Sequence, residues 1–343
     1  LCFCADKEII RYLNPQAIIM LLELSKLLNE ANAHPFLFIG SGFSHRYLKS
    51  EDWKSLIAHF ASEAQPGNEF AFEWYKNEVN ASGESDVEVL PLITERIEQD
   101  FARRFLQDAE YSDLRNRYAE QIRKGVSPLK ICVAERFMSQ EGKFKSPLFP
   151  KEISALGHSR NNTAGIVSTN FDRYLESLYP EHKPYIGQDE LLFRQTYGVG
   201  EIYKIHGCVS NPESIVLTES DYKRYSDRNA YLSAKLLTVF LEHPIFFIGY
   251  SLNDSNIRSI FCDIANCLNK EQLGLLTNRL FFVQRNAPNR NAGINIVRES
   301  FDGKVIEFKQ IVTDDFSVIF KSIAAMKTNY SPKILRRLKK DIY

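Results

Sequence analysis

A chain of 343 residues, 44% hydrophobic and 25% charged, has the composition of a soluble globular protein, long enough for a sizeable core and for two lobes. Lysine plus arginine and aspartate plus glutamate both total 43, so no global field draws the chain to nucleic acid or to an anionic membrane, and any anion site must be local. Cys2, Cys4, Cys132, Cys208, Cys262 and Cys267 include no Cys-x-x-Cys pair, which argues against a zinc ribbon or a disulfide framework and for reduced thiols.

In chain order, residues 1–34 are expected to form an N-terminal helix, with apolar positions at helical spacing through "QAIIMLLELSKLLNEANA" (16–33). The run "AIIMLLEL" is too short to cross a bilayer and no basic-then-apolar leader precedes it, so a cytoplasmic protein is expected. "FLFIGSGFS" (36–44) reads as a buried strand leaving through Gly40, Ser41, Gly42 and Ser44. Two glycines there fit a tight turn, and they also fit a turn whose N–H groups approach a pyrophosphate at a helix start. His45 and Arg46 just behind it are equally placed to touch phosphate or to be solvated. From Trp53 to about Met138 the texture is helical, breaking at Gly67, "ASGES" (81–85) and Gly125 into about four helices; this insertion is placed at about 52–146. Its Glu95, Glu98 and Asp100 read as a charged helix face rather than a glycosidase pair.

Four more apolar runs follow, each ending in polar residues: "AGIVSTNFD" (164–172), "EIYKIHGC" (201–208), "PIFFIGYSLND" (244–254) and "NRLFFVQRN" (278–286). With helices at 230–242 and 255–269 alternating between them, the pattern predicts an α/β fold, a Rossmann-like doubly wound parallel sheet with an inserted helical lobe, spanning 35–330. Phe246, Phe247, Phe281 and Phe282 then belong to the core. Residues 331–343 form a basic C-terminal segment, either a solvated helix end or a lead into another domain. In such a sheet the strand-end residues converge on one crevice: Gly40, Ser41, Gly42, Ser44, Thr169, Asn170, Asp172, His206, Gly249, Ser251, Asn253 and Asp254. Asn170 and Asp172 also stand where a helix over "RYLESLY" would want its cap, and Asp254 where "SNIRSIFCDIANCL" would.

Gly40-Ser41-Gly42-Phe43-Ser44, Thr169-Asn170-Phe171-Asp172, His206-Gly207 and Gly249-Tyr250-Ser251, in this order, resemble the strand-end motifs of the sirtuin family over about residues 35–285. The paired cysteines of the sirtuin zinc ribbon are missing after His206, where Cys208 stands alone. "YKIHG", "IVLTESDY" and "FIGYSLND" are similar to the zinc-free sirtuin-like domains of bacterial anti-phage defence proteins. That resemblance implies NAD as substrate, no metal, and hydrolysis to nicotinamide and ADP-ribose that depletes NAD in abortive infection. It implies catalytic roles for Asn170, His206 and Asp172, and NAD contacts from Gly40, Ser41, Gly42, Ser44, Thr169, Gly249, Ser251 and Asn253. Expected partners are further copies in a homo-oligomer and an associated ATPase or helicase, another defence subunit or a fused sensor domain. The alternatives are a protein deacylase or ADP-ribosyltransferase in the same crevice, or a non-enzymatic NAD or ADP-ribose sensor. For bond cleavage the demands are positional: a cationic leaving group departs neutral, so a neutral amide such as Asn170 can orient the nucleophile, and His206 can take its proton.

Overall fold

Phe36–Ile39, all apolar and all buried, form the central strand β1 of a sheet covered on both faces. The others are β2 (Gly165–Ser168), β3 (Lys183–Ile186), β4 (Glu201–Lys204), β5 (Ile245–Ile248), β6 (Leu280–Gln284), β7 (Gly293–Phe301) and β8 (Lys304–Val312), in the order β3-β4-β2-β1-β5-β6-β8-β7. The computed structural model describes residues 15–81, 89–142, 148–193, 196, 198–227, 230–252, 255–286, 292–327 and 330–342; Cys2, Cys4, Asn253, Asp254 and most of the 81–85 break lie outside them. Neighbouring strands run parallel except β7 and β8, whose antiparallel hairpin turns at Asp302 and Gly303, both with positive φ. The Rossmann-like expectation is met, with eight strands among the described residues rather than five and a mixed sheet rather than an all-parallel one.

Alternation along β1 feeds two cores. Leu37 and Ile39 face α1 (Pro15–Ala31) and the C-terminal helix Ser317–Ala324, while Phe36 and Phe38 face the helices Ala230–Glu242 and Ser255–Cys267. Phe246 stacks on Phe281 at 4.7 Å on the first face and Phe247 on Phe282 at 4.5 Å on the second, so all four belong to the core. β1 leads into α2 (Ser41–Leu48), then into a helical lobe with a core of its own around Phe60, Tyr75, Phe101 and Phe105. Among the described residues the lobe comprises α3 (Trp53–Ala64), α4 (Ala71–Ala81), α5 (Val89–Gln107), α6 (Ser112–Arg117), α7 (Ala119–Arg123) and α8 (Pro128–Met138), six helices where about four were expected. The basic tail is a helix, Pro332–Ile342, docked by Arg336, which donates to the carbonyl of Gly200 at 2.6 Å and meets Glu201 at 3.3 Å.

The chain passes from β1 to β2 on one side and returns to β5 on the other. The direction of winding therefore reverses at β1, and the crevice of a doubly wound sheet opens at the carboxyl ends of β1 and its neighbours.

Candidate active site

At that switch point the β1 and β5 loops touch backbone to backbone. The N–H of Gly40 donates to the carbonyl of Ile248 (2.9 Å) and that of Gly42 to Gly249 (3.0 Å), while Phe43 N–H bonds back to Gly40 (3.0 Å). A β-carbon on Gly42 would lie 2.9 Å from Gly249 Cα, and one on Gly249, whose φ is +84°, would lie 2.4 Å from Phe43 N. The close approach these glycines permit is therefore between the two loops, and the N–H groups of Gly40 and Gly42 are already committed. Tyr250 OH donates to the carbonyl of Ile39 at 3.0 Å and takes a hydrogen bond from Thr169 Oγ1 at 2.8 Å, which ties the β1, β2 and β5 loops together.

Ser44, one turn into α2, sits between two residues of the β2 loop. Asn170 Nδ2 donates to Ser44 Oγ (2.9 Å) and to Gly40 O (3.0 Å), and Ser44 Oγ donates to Asp172 Oδ2 (2.7 Å). With two acceptors on its nitrogen, the Asn170 amide has one orientation, and this network assigns it. Its Oδ1 is buried without a hydrogen-bond partner. Such an atom costs stability unless a ligand or water serves it, which makes it a candidate contact for either. Asp172 Oδ1 accepts the N–H of Tyr174, the first residue of the short helix Tyr174–Leu178. Asp172 thus meets the helix's first N–H from the position before the N-cap Arg173, whereas Asn170 spends its amide on Gly40 and Ser44.

His206 is buried just past β4, 4% exposed, and edge-on to Tyr222 (5.6 Å) and Tyr225 (5.1 Å), which lie three residues apart on the helix Glu219–Asp227. Burial alone pushes its pKa down to about 4, so the imidazole is neutral at physiological pH, a hydrogen-bonding group rather than a strong base. Asn170, Asp172, His206, Ser41, Ser44 and Thr169 line one cavity of about 100 Å³. Trp53 and Leu56 of the helical lobe and Tyr222 close its other side. Trp53 Nε1 is also buried without a partner, so the walls present one orphaned acceptor and one orphaned donor. The volume is below the roughly 300–1,000 Å³ of ordinary ligand sites, and a dinucleotide needs part of this wall to move.

Six of the eleven expected site residues thus line the cavity, and Gly40 joins them through its carbonyl. Gly42 and Gly249 form the loop contact beside it, Ser251 is exposed, and Asn253 is outside the described residues. Arg46 is no phosphate ligand here: it pairs bidentately with buried Glu152 and lies between the rings of Phe149 and Phe316. His45 Nδ1 meets the carbonyl of Ser50 at 2.8 Å. Glu95 accepts the N–H of Ser220 and Asp100 the hydroxyl of Tyr75, both structural contacts. Sequence reasoning missed Trp53, Leu56 and Tyr222; the available signal was the Tyr222 and Tyr225 spacing on one helix face, and Trp53 directly after the cap Asp52. Among the described residues no group of three or more His, Cys, Asp or Glu side chains could hold a metal ion, and no helix is long and apolar enough to cross a membrane.

Residues 164–296 match a family model described as a SIR2-like domain, a stretch that contains Asn170, His206 and Gly249 but not the β1 loop. The chain is similar to the NAD(+) hydrolase ThsA of Bacillus cereus (strain MSX-D12), 23% identical over 180 residues, 51% of this chain and 36% of that protein. It is 30% identical over 105 residues to defense-associated sirtuin 2 of Bacillus subtilis, 29% of this chain and 10% of the relative. To the NAD(+) hydrolase ThsA of Enterococcus faecium it is 33% identical over 72 residues, 21% and 15% of the two chains. The matched stretches cover at most 36% of the length of these relatives.

Proposed function

We propose an NAD hydrolase that releases nicotinamide and ADP-ribose from the cavity between Asn170 and His206, a reading supported by the match of residues 164–296 to a SIR2-like domain model and by the similarity to bacterial defence proteins. The observation that carries this reading is Asn170 Oδ1, a buried, oriented acceptor with no partner at the mouth of three strand-end loops. The bond from the ribose C1′ to the nicotinamide nitrogen breaks with its electron pair going to nitrogen, which neutralises the ring. Water oxygen bonds to C1′, and the proton it sheds leaves through a base. Asn170 Oδ1 accepts a hydrogen bond from that water or from a ribose hydroxyl, and neutral His206 accepts a second one and relays the proton to solvent. Asp172 acts through Ser44, holding the amide so that its oxygen rather than its nitrogen meets the substrate.

The relatives' names support the substrate, and the setting in defence by NAD depletion is proposed on the same basis. Control by oligomerisation, an associated subunit such as an ATPase or helicase, or a fused sensor domain is part of the proposal. The walls of Trp53, Leu56 and Tyr222 are what such control would displace. Incubation with NAD and chromatography of the products tests the reading: equal amounts of nicotinamide and ADP-ribose are expected. Bound NAD that is never cleaved would support a sensor instead, and cyclic ADP-ribose or a modified protein would replace hydrolysis by cyclisation or transfer.

A further inference from the structure

We propose that Lys204 is a positioning residue, a buried cation that joins the strand presenting His206 to the loop presenting Asn170 and so fixes the spacing of the two groups. This inference rests on the hydrolase reading of the site. Lys204 ends β4, has 0% exposure and is the register partner of Ser168, the last residue of β2. Its Nζ donates to the backbone carbonyl of Asp172 and lies 3.4 Å from Glu176 Oε1. With Tyr174 N–H on Oδ1 and Ser44 on Oδ2, every oxygen of Asp172 is then bound, and the loop from Asn170 to Asp172 is held from three directions. The backbone of Lys204 works on the other half of the site. Its carbonyl accepts the N–H of Gly207 at 3.1 Å, closing the turn that carries His206, and Gly207 has φ +91° with a β-carbon position only 2.2 Å from Ser214 O.

One residue therefore anchors the His206 turn by its main chain and the Asn170 loop by its side chain. Burial works against the Lys204 charge, but Glu176, Cys208 and Asp172 outweigh it and hold the pKa above the usual lysine value, so the ammonium stays charged at any working pH. A shorter or neutral side chain would leave the Asp172 carbonyl without its donor in a dry interior. A displacement of about 1 Å between reacting groups is enough to cost about 100-fold in rate.

The test separates this role from simple charge pairing. Lys204→Met alone strands the Glu176 carboxylate, so it is compared with Lys204→Met/Glu176→Leu, which replaces the whole pair by apolar side chains and restores folding. The double variant is expected to melt above Lys204→Met, to stay folded at the assay temperature and to keep its KM for NAD while kcat falls about 100-fold. Glu176→Gln, which removes the ion pair but keeps the bond from Lys204 to Asp172, is expected to melt lower and keep kcat. Wild-type kcat in the double variant, or equal losses of kcat in Glu176→Gln and Lys204→Met, would overturn the proposal. Should wild-type protein release no nicotinamide, the hydrolase reading fails, and amide hydrogen exchange still decides the role of Lys204. Exchange at residues 170–173 should rise in the double variant while β2 stays protected; unchanged exchange there would overturn it.

Discussion

Asn170 and Asp172 stand two residues apart before a short helix, and sequence alone offers both as caps. The hydrogen bonds divide the roles: Asp172 takes the helix N–H, and Asn170 spends its donors on Gly40 and Ser44. Ser44 shows where legibility stops at this scale. Its position after a glycine turn suggests a ligand contact, but which groups its hydroxyl meets depends on β1 lying beside β2, a non-local pairing. Ser44→Ala should therefore free the Asn170 amide to rotate, lowering kcat by about ten- to 100-fold with NAD affinity little changed, as for other positioning groups. A loss confined to affinity would show that Ser44 instead touches the ligand. Gly42 is similar: a β-carbon there meets Gly249 at 2.9 Å, so Gly42→Ala is expected to lower the melting temperature whether or not NAD is present. Unchanged melting with weakened NAD binding would restore the phosphate-cradle reading.

Among the elements, the strands ending in polar residues were readable because a doubly covered strand must be apolar throughout. The β7 and β8 hairpin also carried a signal, Asp302-Gly303 between two strand-forming runs, although apolar Ile296 and Val305 are left exposed. β3 carried almost none: four residues with Pro184 inside and two of them exposed. The helical lobe was legible as helical, but its part in the site was not, because α3 reaches the sheet's edge only through tertiary packing. Leu56 of α3, 2% exposed, closes the cavity. Leu56→Ala should cost about 2–5 kcal/mol of stability, from lost burial and the space left behind, while lowering the KM for NAD by widening the entrance. If denaturant melts show the cost and kinetics show no change in KM, NAD enters elsewhere.

For the whole molecule, the reversal of winding at β1 explains why residues from four distant stretches meet, and the order of strands makes that meeting a property of topology. The buried neutral histidines give it an acid limit. His206 and His182 are both pushed down from 6.5 to about 4, chiefly by burial, so the unfolded chain binds protons that the fold does not. Stability is full above pH 6.5 and falls as pH drops toward 4, by about 3 kcal/mol for each group. His206→Phe should flatten part of that fall in denaturant titrations at successive pH values; an unchanged slope would mean that His206 titrates normally. The measurement that bears most directly on the site is turnover by Asn170→Asp, under conditions where wild-type protein releases nicotinamide. Aspartate conserves size but loses the amide's donors to Gly40 and Ser44 and brings a second carboxylate beside Asp172. The expected result is a lowered melting temperature with the fold intact at the assay temperature, NAD bound, and nicotinamide release lower by about 100-fold or more; release at the wild-type rate would contradict the assignment of this cavity as the active site.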